Sequence, residues 1–232
     1  MRRGALSHSG PGGRGPRGHR GWNDANGKDA KQLHADIEYG WAWGTGSPLR
    51  SLWPTAGRPG DQLMSLIRFD SLSEDLLGAL VASGWSAGRK VDPGQWVAPL
   101  ESEGYRSHPL AEEILAAVGG LSIEPVDRVG PNFSNDEPYN FDPIAAGSGQ
   151  RDLAAEVESV LGGVYFPIGE WLSYSSVFVE AGGRVVAAGM GWIWELGSTF
   201  EDSLELAVCA NRPLNCLHSD PGLDPWPSPD SR

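Results

Sequence analysis

The sequence predicts an α+β fold: one antiparallel sheet of about five to six strands, flanked by N-terminal helices and one C-terminal helix. Three observations carry this. Apolar residues at helical spacing, bracketed by caps, dominate residues 73–161. Short β-branched and aromatic runs separated by turn residues fill residues 164–196, and a further helical pattern follows them. Helices segregated from a run of strands in this way pack against an antiparallel sheet.

Taken in order, Ser73 is a good N-cap for a helix whose first turn holds Glu74 and Asp75. Leu76, Leu77, Leu80 and Val81 form its inward face and Gly84 stops it. Asp92-Pro93 opens a second short helix as cap and first-turn proline, with Trp96 and Leu100 inward and Gly104 at its end. Pro109 starts a third, carrying Leu110, Ile114, Leu115 and Val118 and closed by Gly119-Gly120. Leu121 and Ile123 alternate with polar residues as a first strand. After a loop, a fourth helix runs from about Asp152 to Leu161 with Leu153, Val157 and Val160 inward. Val164-Tyr165-Phe166 reads as a strand ending at Pro167. Ser175 to Glu180 and Arg184 to Ala188 flank a Gly182-Gly183 hairpin turn. Trp192 to Leu196 is another strand with both tryptophans on one face. A last helix, about Thr199 to Asn211, buries Phe200, Leu204, Ala207 and Val208.

These elements place a folded domain at residues 63–217. Residues 1–62, rich in Gly, Pro and Arg and without apolar periodicity, are expected to be a disordered extension. An over-extended start with Met64 as the true initiator is the alternative. Residues 218–232 read as a Pro-rich disordered tail. Charge divides the same way. Residues 1–60 carry nine Lys/Arg against four acids, net +5, so of the overall −12 the remainder holds −17. An acidic folded part repels phosphates, which argues against a nucleic-acid partner and for a basic protein. No apolar run has membrane-spanning length, and the Met1-Arg2-Arg3 start lacks a following apolar stretch, so a cytoplasmic location is expected. Cys209 and Cys216 match no metal or disulfide spacing, as in a reducing compartment.

Motifs that suggest chemistry fail on context. Gly84-Trp85-Ser86-Ala87-Gly88 fits the G-x-S-x-G nucleophile elbow, but a helix precedes the serine where a strand is required. A serine hydrolase built on Ser86 is therefore a remote alternative. Gly13 to Gly18 matches G-x-G-x-x-G with no strand before it and Pro16 inside. Asn132-Phe133-Ser134 is a glycosylation sequon, without meaning unless the chain is secreted. His108, beside Pro109, reads as a cap or surface residue and has no second soft ligand nearby in sequence. No catalytic residue, metal ligand or cofactor is expected.

One long ordered series of short motifs does discriminate. It runs Gly84-Trp85, Gly88-Arg89, Val91-Asp92, Gly104-Tyr105, His108-Pro109, Ile114-Leu115 and Gly119-Gly120-Leu121. It continues through Phe141-Asp142-Pro143, Leu161-Gly162, Tyr165 to Glu170 and Gly183-Arg184-Val185. From about Ser71 to Asn211 the chain resembles the third group of the SUKH superfamily, bacterial immunity proteins of polymorphic toxin systems. The resemblance implies an α+β fold with one antiparallel sheet and no enzymatic activity. It implies binding and neutralisation of a toxin domain, such as a nuclease or deaminase. Gly84, Trp85, Gly104, Tyr105, Pro109, Gly119, Gly120, Pro167 and Gly169 match its motif positions, the glycines and Pro167 as caps or turns. A general protein-binding adaptor on the same scaffold is the alternative function. The basic N-terminal extension departs from the pattern.

Candidate docking residues are Trp192, Trp194 and Glu195 on a late strand, with Trp171 and Tyr174 in the loop before it. Aromatics anchor interfaces and neighbouring acids supply complementarity. The competing expectation is that Trp192 and Trp194 pack under helices.

Overall fold

The computed structural model describes residues 65–172 and 174–228. The expected N-terminal extension and the alternative start at Met64 lie outside the described residues.

A 3-10 turn at Phe69–Ser71 leads into α1 (Glu74–Ala82), α2 (Gly94–Ser102) and α3 (Pro109–Val118). Ser73 and His108 cap α1 and α3 with their side chains; at α2 the N-cap is Pro93, which offers none, and the preceding Asp92 reaches the first N–H. Ser73 accepts from the Leu76 N–H, Asp92 from the Gly94 N–H at 2.9 Å, and His108 Nδ1 from the Ala111 N–H at 3.2 Å. Leu76, Leu80, Leu100, Ile114, Leu115 and Val118 are fully buried. Val81, expected inward, is 43% exposed. At 100° per residue it stands about 140° round α1 from Leu76, off the buried stripe. Leu77, Trp96 and Leu110 are half-buried at the rim of the same core.

Strands β1 (Ser122–Ile123) and β2 (Tyr139–Asn140) come next, followed by α4 (Pro143–Gly147) and α5 (Arg151–Leu161). The sequence reading missed β2 and α4. Both are too short to show a period, although Asp142 caps α4 by accepting from the Ile144 and Ala145 N–H groups, both at 3.1 Å. On α5, Ala154 and Val157 are buried whereas Val160 is 40% exposed in the last turn.

The second half is a meander: β3 (Tyr165–Trp171), β4 (Ser175–Glu180), β5 (Val185–Gly189), β6 (Trp192–Gly197), then α6 (Phe200–Cys209) and β7 (Asn215–Ser219). All seven strands form one sheet in chain order, each antiparallel to the next. This is the expected architecture with a slightly higher strand count. Two strand ends differ. Pro167 does not stop β3; the ladder shifts register between Pro167 and Gly169 and continues to Trp171. A proline has no N–H to donate, and a bulge is where a sheet tolerates that. Moreover β2 meets β3 only at Glu170, so at Pro167 the sheet has a strand on the β4 side alone. At the other side of the sheet, β7 crosses the boundary expected at residue 217 and pairs with β6 from Trp192 to Glu195.

Strands β3 to β6 are buried almost continuously, so both sheet faces are covered. Phe166, Phe178, Val186, Ile193 and Leu204 are among the fully enclosed side chains. His108 links the layers: its Nε2 lies 3.2 Å from the Val179 carbonyl of β4. Burial holds the pKa of His108 below its ordinary 6.5, against the opposing effects of the Val179 carbonyl, Glu180 and Glu112. The unfolded chain therefore takes up this proton first as pH falls. The stability contributed is present above about pH 6.5 and is lost on acidification through the folded value. Urea denaturation at stepped pH is expected to show this decline, and His108→Asn, which keeps a capping acceptor, is expected to flatten it. An unchanged slope in the variant would remove His108 as the cause.

Candidate partner-binding site

The meander brings the β3–β4 and β5–β6 turns to the same end of the sheet. The last cross-strand pair there is Ser176↔Ala188, and Gly189 packs directly on Ser175. One residue further on, Tyr174 is 78% exposed and Met190 is 61% exposed. Both hold left-handed backbone, with φ of 60° and 53°. Left-handed backbone in a residue with a Cβ costs roughly 1–2 kcal/mol. Two large apolar side chains are thus displayed to solvent on strained turns at neighbouring hairpin tips. Asp220 adds an acid at the β5–β6 turn, its side chain lying against Gly191.

The other predicted docking residues are distributed differently. Trp171 is 1% exposed and belongs to β3, not to a loop. Its Nε1–H donates to Asn135 Oδ1 at 3.1 Å, and Asn135 in turn donates to the Ala207 and Asp127 carbonyls. Trp171 also stands edge-on to Phe133, in the core of the domain. Trp192 and Trp194 do share a face, with ring centroids 6.0 Å apart. The C-terminal segment lies against both rings. Trp192 Nε1–H donates to the Asp224 carbonyl at 2.9 Å and Trp194 Nε1–H to that of Trp226. The Trp226 ring stands edge-on to Trp194 at 5.8 Å. Trp194 is fully buried and Trp192 partly so. Glu195, one residue on, faces away by strand alternation. It lines two clefts of about 350 and 440 Å³ towards the opposite end of the sheet, one with Glu180 and Arg184, the other with Asp202 and Arg212. The five residues therefore do not form one patch. Met190 and Trp226 were missed. A lone Met between two glycines gives no periodic signal, and Trp226 stands among prolines that read as tail.

The motif residues are structural in several ways. Gly84 and Gly104 follow α1 and α2 with φ of 95° and 92°, as helix-stop glycines. Gly120 turns the chain after α3, and Gly119 packs so closely that a Cβ would meet the Leu115 carbonyl at 2.5 Å and Trp96 at 2.6 Å. Pro109 is the first residue of α3. Trp85 packs on Phe69, and the buried Tyr105 hydroxyl donates to the Gly147 carbonyl at 2.9 Å. Pro167 and Gly169, expected at turns, lie inside β3.

Ser86 follows α1 and begins a tight turn in which the Arg89 N–H bonds its carbonyl at 2.9 Å, so no strand precedes it. His108 is occupied by its cap and by Val179, and His218 lies 3.8 Å from Asp220. Burial raises the Cys209 thiol to about 11, which keeps it protonated at neutral pH. Among the described residues, the side chains that could jointly hold a metal ion are Glu156, His218 and Asp220. No described helix is long and apolar enough to cross a membrane.

The family model for the SUKH-3 immunity protein matches residues 72–208, more than half of the chain. No curated protein and no solved structure matches it.

Proposed function

From the premise that this chain belongs to the SUKH-3 immunity protein family, we propose that it neutralises a cognate toxin domain by docking, without catalysis. The observation that carries the reading is the extent of the family match, which begins just before α1 and ends within α6. The toxin domain is basic, because residues 61–232 hold 26 acids against nine Lys/Arg. Such an imbalance speeds encounter with a cationic surface and disfavours nucleic acid. The encounter takes place in the cytoplasm, in keeping with two free thiols.

Contact is made at the hairpin end. Tyr174, with Met190 and the accessible part of Trp192, forms the apolar anchor, and Asp220 supplies charge at its rim. Exposed aromatic and Met side chains are typical anchors, and their preset backbone limits the ordering cost of binding. Glu195 belongs to the general acidic field. Trp171 and Trp194 stiffen the platform from below.

The test is binding of the purified chain to the variable C-terminal domain of the toxin encoded beside it. Tyr174→Ala and Met190→Ala are expected to weaken binding at least about tenfold each, with folding stability unchanged within about 0.5 kcal/mol. The association rate is expected to fall as salt rises. Full affinity in both variants would remove the hairpin end as the docking surface, and no binding by the parent chain would remove this toxin as the partner.

A further inference from the structure

We propose that Glu156, His218 and Asp220 form a site for a divalent transition metal of the zinc class, and that the ion fastens the C-terminal end of the chain to α5. This inference rests on a different observation from the toxin-binding reading, although the two share Asp220. One ligand atom from each residue lies within 4.8 Å of the other two, and His218 Nε2 is 3.8 Å from Asp220 Oδ1. Zinc bonds of about 2.0–2.2 Å in a tetrahedron set ligand atoms about 3.3–3.6 Å apart.

The backbone under all three donors is fixed. Glu156 stands on α5, His218 is in β7 opposite Ile193, and the Asp220 N–H extends the ladder by donating to the Gly191 carbonyl at 2.8 Å. Along an extended chain His218 and Asp220, two residues apart, project to one side. That side is where α5 presents Glu156. One imidazole and two carboxylates suit zinc-class ions, leaving a coordination position for water. Without a cation, two carboxylates held this close repel each other, and the ion converts that repulsion into a cross-link.

The cross-link joins two different parts of the chain. Glu156 lies inside the family match, whereas β7 and everything after it lie outside. The segment just beyond Asp220 carries the Asp224 and Trp226 carbonyls that satisfy Trp192 and Trp194. Securing Asp220 therefore secures the cover over the tryptophan pair. The spacing of 62 residues between Glu156 and His218 hides the site from any sequence motif.

The experiment is titration of the full chain with zinc chloride by calorimetry, paired with hydrogen exchange over residues 218–228. Saturable binding of one ion, reversed by EDTA, with slower exchange in that segment, is expected. Glu156→Gln, an exposed helix position, and His218→Ala should each weaken binding at least tenfold and abolish the added protection. Absence of saturable binding would overturn the site. So would binding that survives in both variants, which would lie elsewhere, for example on the N-terminal histidines. Binding without altered exchange in 218–228 would overturn the fastening role.

Discussion

Gly169→Ala is expected to cost about 3–4 kcal/mol of folding stability, near the upper end for a single added methyl group. A Cβ at this position would sit 2.0 Å from the Asn140 carbonyl oxygen and 3.0 Å from both the Asn140 carbonyl carbon and the Phe141 Cα. All three are backbone atoms, so no side chain can swing aside. Relief requires β2 to move off β3, and their one registered pair is Asn140↔Glu170. The same shift would disturb Phe141, whose N–H bonds the Leu121 carbonyl at 2.8 Å and whose carbonyl accepts from Gly120 at 2.7 Å. Chemical denaturation monitored by circular dichroism gives the comparison. A loss below about 1 kcal/mol would show that β2 yields easily and that the close approach is not a constraint.

Trp171→Ala is expected to cost about 3–5 kcal/mol, by the same measurement. The indole is enclosed, stands edge-on to Phe133 at 5.7 Å, and donates the hydrogen bond that satisfies Asn135 Oδ1. Asn135 is itself fully buried. Removing the ring therefore leaves both a cavity and an unpaired acceptor, and the two costs add. Trp171→Phe, which refills most of the volume but still cannot donate, should recover part of the loss. A variant as stable as the parent would mean that the ring and its bond to Asn135 do not hold this part of the core together.

The contrast between Trp171 and Tyr174 shows how far the sequence could be read. Both are aromatic, three residues apart, and both were natural anchor candidates. What separates them is the extent of β3, which continues past the proline through the ladder shift at Pro167–Gly169 and takes in Trp171. A bulge depends on what lies across the sheet, so it leaves no local pattern. The caps of α1 and α3, the start of α6, the Gly182-Gly183 hairpin and the Trp192–Trp194 face were legible, because each depends on neighbours within a few residues. Elements whose support is distant were not. β2 requires β3, α4 has one short turn, and β7 requires the open side of β6. The same rule governs the site. Exposure of Tyr174 follows from its turn, while the burial of Trp194 follows from a segment 32 residues later. The ordered series of family motifs compensated for this, because many short matches in one order record long-range structure that no single spacing contains.

The strand order along the sheet is the order along the chain. From β3 to β6 each new strand closes a short turn onto the one before it, so little chain entropy opposes each step. β2 must instead find β3 across the α4–α5 excursion, and β7 must return to β6 around α6. Contacts that span short loops form before those that span long ones. Within the sheet, the four-strand centre is therefore the part that assembles first, and the outer strands are late additions to it. The hairpins bearing Tyr174 and Met190 belong to that early-forming centre, so the end of the sheet proposed to meet the toxin takes shape before the outer strands have joined it.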